Sequence, residues 1–261
     1  MDLQLAGKTA LITGASRGIG RAIALKLASE GIGEVILVAR DAKALDEVAE
    51  TIRKQYGSGV QTMATDLAAA GAAQAVVARF SQVDILVNNA ADSLPGTLEG
   101  TSDREWRSST ELKIFSYVEL VRACYAEMKK RGSGVILNNI GSAGENWDAA
   151  YVIGSTLNAA MMAFTRATGG VSLDDGIRVV GVNPGPVATD RIMRLMKRRA
   201  KDNFGDESRW QEFFGNLPAK RAATPDEVAD LFAFLASPLA GYISGTIVTI
   251  DGGNASRRKT M

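Results

Sequence analysis

The stretch Thr13-Gly14-Ala15-Ser16-Arg17-Gly18-Ile19-Gly20 constrains this chain more than any other. It follows the apolar run Ala10-Leu11-Ile12 and opens a helix-like segment from Arg21 to Ala28. A strand, a glycine turn and a helix start, in that order, make a phosphate cradle. Without Cβ atoms at Gly14, Gly18 and Gly20 the backbone turns sharply and approaches a pyrophosphate, while free N–H groups and the positive end of the helix dipole face it. Glycine turns also occur where a helix merely packs closely on a strand, so the remainder of the chain has to decide.

The remainder alternates short β-branched runs with longer amphipathic stretches. The runs predict strands at about 8–13, 34–39, 60–65, 83–88, 134–140, 177–182 and 246–250, with helices between them. Val35-Ile36-Leu37-Val38 and Asp84-Ile85-Leu86-Val87 have no polar alternation, as expected of parallel strands covered on both faces. Right-handed crossovers then give an α/β fold, a doubly wound seven-stranded parallel sheet of the Rossmann type in one domain over residues 1–261.

Composition narrows the chemistry. The chain has 261 residues, 46% of them hydrophobic, and a net charge of +1, which gives no reason to expect a nucleic-acid partner. No apolar run is long enough to span a bilayer and the start is not signal-like, so a cytoplasmic location is expected. Cys124 is the single cysteine and sits in a helical apolar pattern, which excludes an internal disulfide and marks it as a core residue. The count of histidines is zero. That removes the commonest general base, rules out a Ser-His-Asp hydrolase and makes a metal site unexpected, so any proton transfer falls to tyrosine, lysine, carboxylates or hydroxyls.

In a doubly wound sheet the ligand lies along the carboxyl ends of the strands. The second strand ends in Ala39-Arg40-Asp41, about 20 residues past the glycine turn, where a dinucleotide fold reads the adenosine ribose. An NAD site calls for a carboxylate at the strand end, but Ala39 stands there and Arg40 follows. Arg40 and Arg17 suit a 2′-phosphate, with Asp41 as a competing carboxylate, and the expectation is NADP(H).

Further strand ends carry Asp66-Leu67, Asn88-Asn89-Ala90-Ala91, Ile140-Gly141-Ser142 and Asn183-Pro184-Gly185-Pro186-Val187-Ala188-Thr189. With the glycine turn, Tyr151, Ser244-Gly245-Thr246 and Asp251-Gly252-Gly253, they make the chain resemble the short-chain dehydrogenase/reductase family, near its 3-oxoacyl-carrier-protein reductase branch, over essentially its whole length. The resemblance implies that Asp66 contacts the adenine, that Asn88 and Ala90 line the cofactor, and that Val187 and Thr189 hold the nicotinamide carboxamide and phosphate. It also places Gly14, Ser16, Arg17, Gly18, Ile19, Gly20, Arg40, Leu67, Ile140, Tyr151, Pro184 and Gly185 along the cofactor.

Family chemistry rests on asparagine, serine, tyrosine and lysine, the last two spaced Tyr-x-x-x-Lys. Ser142 and Tyr151 match as carbonyl anchor and acid/base, but Ser155 stands at the lysine position and Lys113 at the asparagine position. An unperturbed tyrosine, with a pKa near 10, is only about 0.1% ionised at pH 7, so the missing cation matters. Lys113 falls in the stripe Trp106, Thr110, Lys113, Tyr117, Leu120, Cys124 and Met128, the inward face of a helix over about 103–130. One reading moves the cation between helices, with Lys113 reaching Tyr151 and Ser155 still bonding a ribose hydroxyl. The other leaves the tetrad broken, in an NADP(H)-binding protein with weak or no catalysis.

The short loop between Ser142 and Tyr151 carries Glu145 and Trp147, which either line the substrate side or close the loop. Residues 190–217 resemble the family's substrate lid. Met193, Leu195 and Met196 offer an apolar surface, Trp210, Phe213 and Phe214 an aromatic cluster, and the basic residues from Arg191 to Lys201 a field that could steer an anionic substrate. The expected reaction passes hydride between NADP(H) and a small-molecule carbonyl or secondary alcohol. The resemblance implies a homotetramer or homodimer built on the helices at about 103–130 and 150–168, and the tail Arg257-Arg258-Lys259 is expected to be disordered.

Overall fold

In the computed structural model, which describes residues 2–92 and 95–257, seven strands form one parallel sheet. They are β1 (Thr9–Thr13), β2 (Glu34–Ala39), β3 (Gly59–Ala64), β4 (Ile85–Asn88), β5 (Gly134–Asn139), β6 (Ile177–Pro184) and β7 (Ile247–Ile250), in the order β3-β2-β1-β4-β5-β6-β7. The expected strands and topology are all present, each boundary within two residues. Leu11 pairs with Ile36 on one side and Leu86 on the other, so β1 is central. The order reverses between β1 and β4, and this switch point opens a crevice at the strands' carboxyl ends.

Successive strand residues face opposite sides, which is why the strands read as unbroken apolar runs. Ile12, Leu37 and Val87 pack with Ile23 and Leu27 of α1 (Gly18–Ser29) and Phe232 of α8 (Pro225–Ala236). Leu11, Ile36 and Leu86 pack on the other face with Val76 of α3 (Ala72–Arg79) and Leu120 and Cys124 of α5 (Ser116–Arg131). Burial pushes the Cys124 thiol up to about 12, which leaves little thiolate to react. A thiol reagent is therefore expected to leave the native protein unmodified and to label one group per chain in denaturant, read by mass spectrometry.

The remaining helices are α2 (Ala42–Gln55), α4 (Asp103–Thr110), α6 (Val152–Ser172) and α7 (Asp190–Phe204). The long helix expected over 103–130 is not uniform: a π-helical turn, Glu111–Phe115, joins α4 to α5. Such turns occur often at functional sites. Residues 190–217 form α7 and the 3₁₀ segment Glu207–Asn216, joined by the stacked rings of Phe204 and Phe213 at 5.5 Å. No helix among the described residues is long and apolar enough to cross a membrane. Arg257 donates to the Asn216 carbonyl, so the start of the tail is held; Arg258 and Lys259 lie outside the described residues.

Candidate active site

Gly14 and Gly18 take φ values of +65° and +56°, which side-chain-bearing residues rarely adopt. Gly20 acts from behind the turn, where a methyl would run into the Gly14 carbonyl and the Asn89 amide. The turn is held from β4: Asn89 Nδ2 donates to the Thr13 carbonyl at 2.9 Å and to that of Gly14 at 3.3 Å. Thr13 Oγ1 accepts from the Asn89 and Ala90 amides, and Asn139 Nδ2 donates to Asn89 Oδ1 at 2.7 Å. α2, α7 and α8 begin with a side chain accepting from their first turn, but α1 has no such cap and no acidic residue there. Its first N–H groups are left for an anion, which is the test a pyrophosphate site has to pass.

From this turn a cleft of 1080 Å³ runs along the strand ends. Its lining includes Gly14, Ser16, Arg17, Gly18, Ile19, Arg40, Asp66, Leu67, Ala90, Ile140, Pro184, Gly185, Val187 and Thr189, together with Lys113, Ser142 and Tyr151. Asp41, the competing carboxylate, is engaged as the N-cap of α2, accepting from the Ala44 amide at 3.1 Å. Two expected cofactor contacts are corrected. Asn88 is fully buried and does not line the cleft: its Nδ2 donates to Asn138 Oδ1 across β4 and β5, so its side chain braces the sheet and its neighbour Asn89 faces the cleft. Gly20 shapes the turn without lining the cleft.

Ser142 opens a 3₁₀ turn whose carbonyl accepts from the Glu145 and Asn146 amides, and Tyr151 caps α6. The Tyr151 ring lies over Gly154, where a methyl would overlap the ring carbons. Gly154→Ala must displace the ring, and since misplacement by about 1 Å can cost about 10²-fold, a loss of that order is expected in NADPH-linked turnover with the fold intact by circular dichroism. Trp147 lines the cleft, whereas Glu145 turns away to accept from Thr249.

Ser155 does not line the cleft, which corrects its expected ribose contact. It is buried on α6, and its Oγ accepts from the Asp148 amide at 3.1 Å, anchoring the short loop before Tyr151.

Lys113, 3% exposed, does not bond Tyr151, so of its two readings the one that moves this cation to Tyr151 is not the arrangement found. Its Nζ donates to the carbonyls of Asn139 at 2.6 Å and Ile140 at 3.2 Å and to the Tyr117 hydroxyl at 3.4 Å. The chain leaves β5 there for Ser142, freeing carbonyls that the strand no longer uses. Burial, with a smaller contribution from Arg191, lowers the Lys113 pKa to about 7. Burial also pushes the Tyr117 phenol up, so it stays protonated and donates to Asn139.

The cation on Tyr151 comes from α7. Arg191 Nη2 donates to the Tyr151 hydroxyl oxygen at 2.7 Å, and two turns on Arg199 pairs with the Asp148 carboxylate. In the sequence these arginines stand out only as members of a basic run, and nothing local marks a role for Asn89, Asn139, Gly154 or Asp148. Arg191 follows Thr189 and Asp190 at the point where α7 begins, the one local sign that its side chain starts beside the cleft.

A family model described as enoyl-(acyl carrier protein) reductase matches residues 14–255. The NADPH-dependent reductase BacG of Bacillus subtilis is 30% identical over 253 residues, 95% of this chain and 97% of that protein. The 3-oxoacyl-(acyl-carrier-protein) reductase FabG of Vibrio cholerae is 32% identical over 96% of this chain and 98% of its own. Among solved structures, L-sorbose reductase from Gluconobacter frateurii, complexed with NADPH and L-sorbose, is similar with a TM-score of 0.88 at 34% identity, covering 100% of both chains. The sheet order, the uncapped helix behind the glycine turn and these full-length similarities together place the chain in the short-chain dehydrogenase/reductase family.

Proposed function

We propose that the protein is an NADP(H)-dependent oxidoreductase acting on a small-molecule carbonyl or secondary alcohol. The observation that carries this reading is a single cleft joining the uncapped glycine turn, Arg17 and Arg40 at one end with Ser142 and Tyr151. The turn and the α1 amides would hold the pyrophosphate, Arg40 and Arg17 the 2′-phosphate, and Ile140, Pro184, Gly185, Val187 and Thr189 the nicotinamide half. When bound, the nicotinamide supplies or accepts the hydride. Ser142 orients the substrate oxygen, and Tyr151 gives it a proton in reduction or takes one in oxidation. Lys113 acts on this centre indirectly, fixing the β5 carbonyls that lead into Ser142.

The segment 190–217 serves as the lid, with Leu195, Met196 and Phe213 on the cleft side. The working form is a homodimer or homotetramer paired through α5 and α6, which light scattering would give as a multiple of 27.6 kDa.

The direct test follows NADPH absorbance with L-sorbose and a 3-oxoacyl thioester as probes. Consumption that requires Tyr151 supports the reading; no consumption with either and no NADPH binding by fluorescence overturns it. Losing a charge-assisted bond to the 2′-phosphate costs about 1.5–3 kcal/mol. Arg40→Ala is thus expected to lower the preference for NADPH over NADH by roughly tenfold to a hundredfold, measured as the ratio of their dissociation constants.

A further inference from the structure

We propose that Arg191 is the catalytic cation of this site, supplied by the lid helix in place of the lysine that α6 lacks, so that the acid/base centre is complete only when α7 is docked. The inference rests on the oxidoreductase reading and deepens it. Arg191 donates to the phenolic oxygen of Tyr151 at 2.7 Å and leaves that hydroxyl's own proton available for a substrate oxygen. In reduction the Tyr151 O–H bond breaks and a new O–H bond forms on the substrate oxygen, which takes the C=O π pair as the carbonyl carbon accepts the hydride that NADPH would supply. The negative charge left on the phenolate falls directly against the guanidinium, and water returns the proton.

Ser155, the residue at the lysine position, belongs to the same device. Its Oγ accepts from the Asp148 amide, and the Asp148 carboxylate receives Arg199 from two turns further along α7. One helix thus grips the Ser142–Tyr151 segment twice, through an ion pair at Asp148 and through the bond to Tyr151. A lysine at 155 would remove the Oγ that anchors this loop. The small residue, the short loop and the arginines of α7 fit together.

Besides Arg17, Arg40, Asp41 and Asp66 around the glycine turn and the ends of β2 and β3, the other charged residues lining the cleft are Asp92, Lys113, Asp148, Asp190, Arg194 and Arg199. Asp148 and Arg199 offset each other, and Lys113 is bonded to the β5 carbonyls and Tyr117. Among the described residues, Arg191 is the one whose cation bonds the phenol oxygen.

The test needs no substrate. Tyrosinate absorbance is followed with rising pH on the cofactor-free protein and with NADP⁺, and the Tyr151 step is taken as the difference between wild type and Tyr151→Phe. Arg191→Met should move the step upward, Arg191→Lys should recover most of that, and Lys113→Met should leave the step in place. An unchanged step in Arg191→Met, or a shift seen in Lys113→Met instead, overturns the proposal. Turnover separates this from the parent reading: NADPH consumption that survives Tyr151→Phe sinks the oxidoreductase assignment, whereas consumption lost in Tyr151→Phe with kcat and its pH profile untouched in Arg191→Met sinks only the role of Arg191.

Discussion

Tyr151→Phe is expected to lower NADPH-linked carbonyl reduction by about 10²–10⁴-fold, the usual contribution of a positioned general acid. The change removes one oxygen from a ring that Gly154 accommodates and that lines the same cleft as Ser142. Since the hydroxyl is bonded to Arg191 rather than to the glycine turn or β2, NADPH affinity should stay within a few-fold of wild type. The measurement is kcat and the NADPH dissociation constant on the same preparation. A comparable loss in both would mean that Tyr151 holds the cofactor and leaves the chemistry to another group.

The second large effect concerns stability. Lys113 carries a pKa lowered to about 7 by burial, against 10.5 for an ordinary lysine. Between those values the unfolded chain keeps a proton that the folded chain has released. Unfolding then takes up protons, so stability rises with pH from about 7 to about 10, by at most about 1.4 kcal/mol per pH unit for this one group. Below pH 7 both states hold the proton and the dependence ends. Above about 10 the sign reverses, because Tyr117 and Tyr125 are pushed up in the fold and the unfolded phenols ionise first. Lys113→Met should abolish the rise between about pH 7 and 10 and keep the fall above it. Urea midpoints across that range would read this, and a rise of equal slope in the variant would show that another group is responsible. Near neutrality the variant also leaves the Asn139 and Ile140 carbonyls short of a donor, so its loss of activity should act through a displaced Ser142.

Much of this molecule was legible in its sequence for a local reason. A strand buried on both faces must be apolar at consecutive positions, and a backbone that turns onto a pyrophosphate must be free of Cβ atoms, so β1, β2 and the Gly14–Gly20 turn announce themselves. The inward stripe on the helices around Lys113 was readable because three- and four-residue steps return to one face. The π-helical turn was not, since it inserts into an otherwise continuous helix without changing which residues are apolar.

The partners of the polar side chains were beyond that reach. Asn88 and Asn89 are identical in type and adjacent in sequence, yet strand alternation sends one into the sheet and the other to the glycine turn. Arg191 and Tyr151 lie 40 residues apart, and their contact depends on where α7 settles over the cleft. Lys113 and Tyr151 both line that cleft, but the carbonyls freed at the end of β5 take the ammonium first. The sequence by itself determined the strands, their parallel doubly wound sheet and the cradle, because periodicity and glycine placement act within a few residues. Which cation meets Tyr151 was decided by the tertiary structure, because a charge takes its partner by distance and burial, and both are set only when separate elements pack.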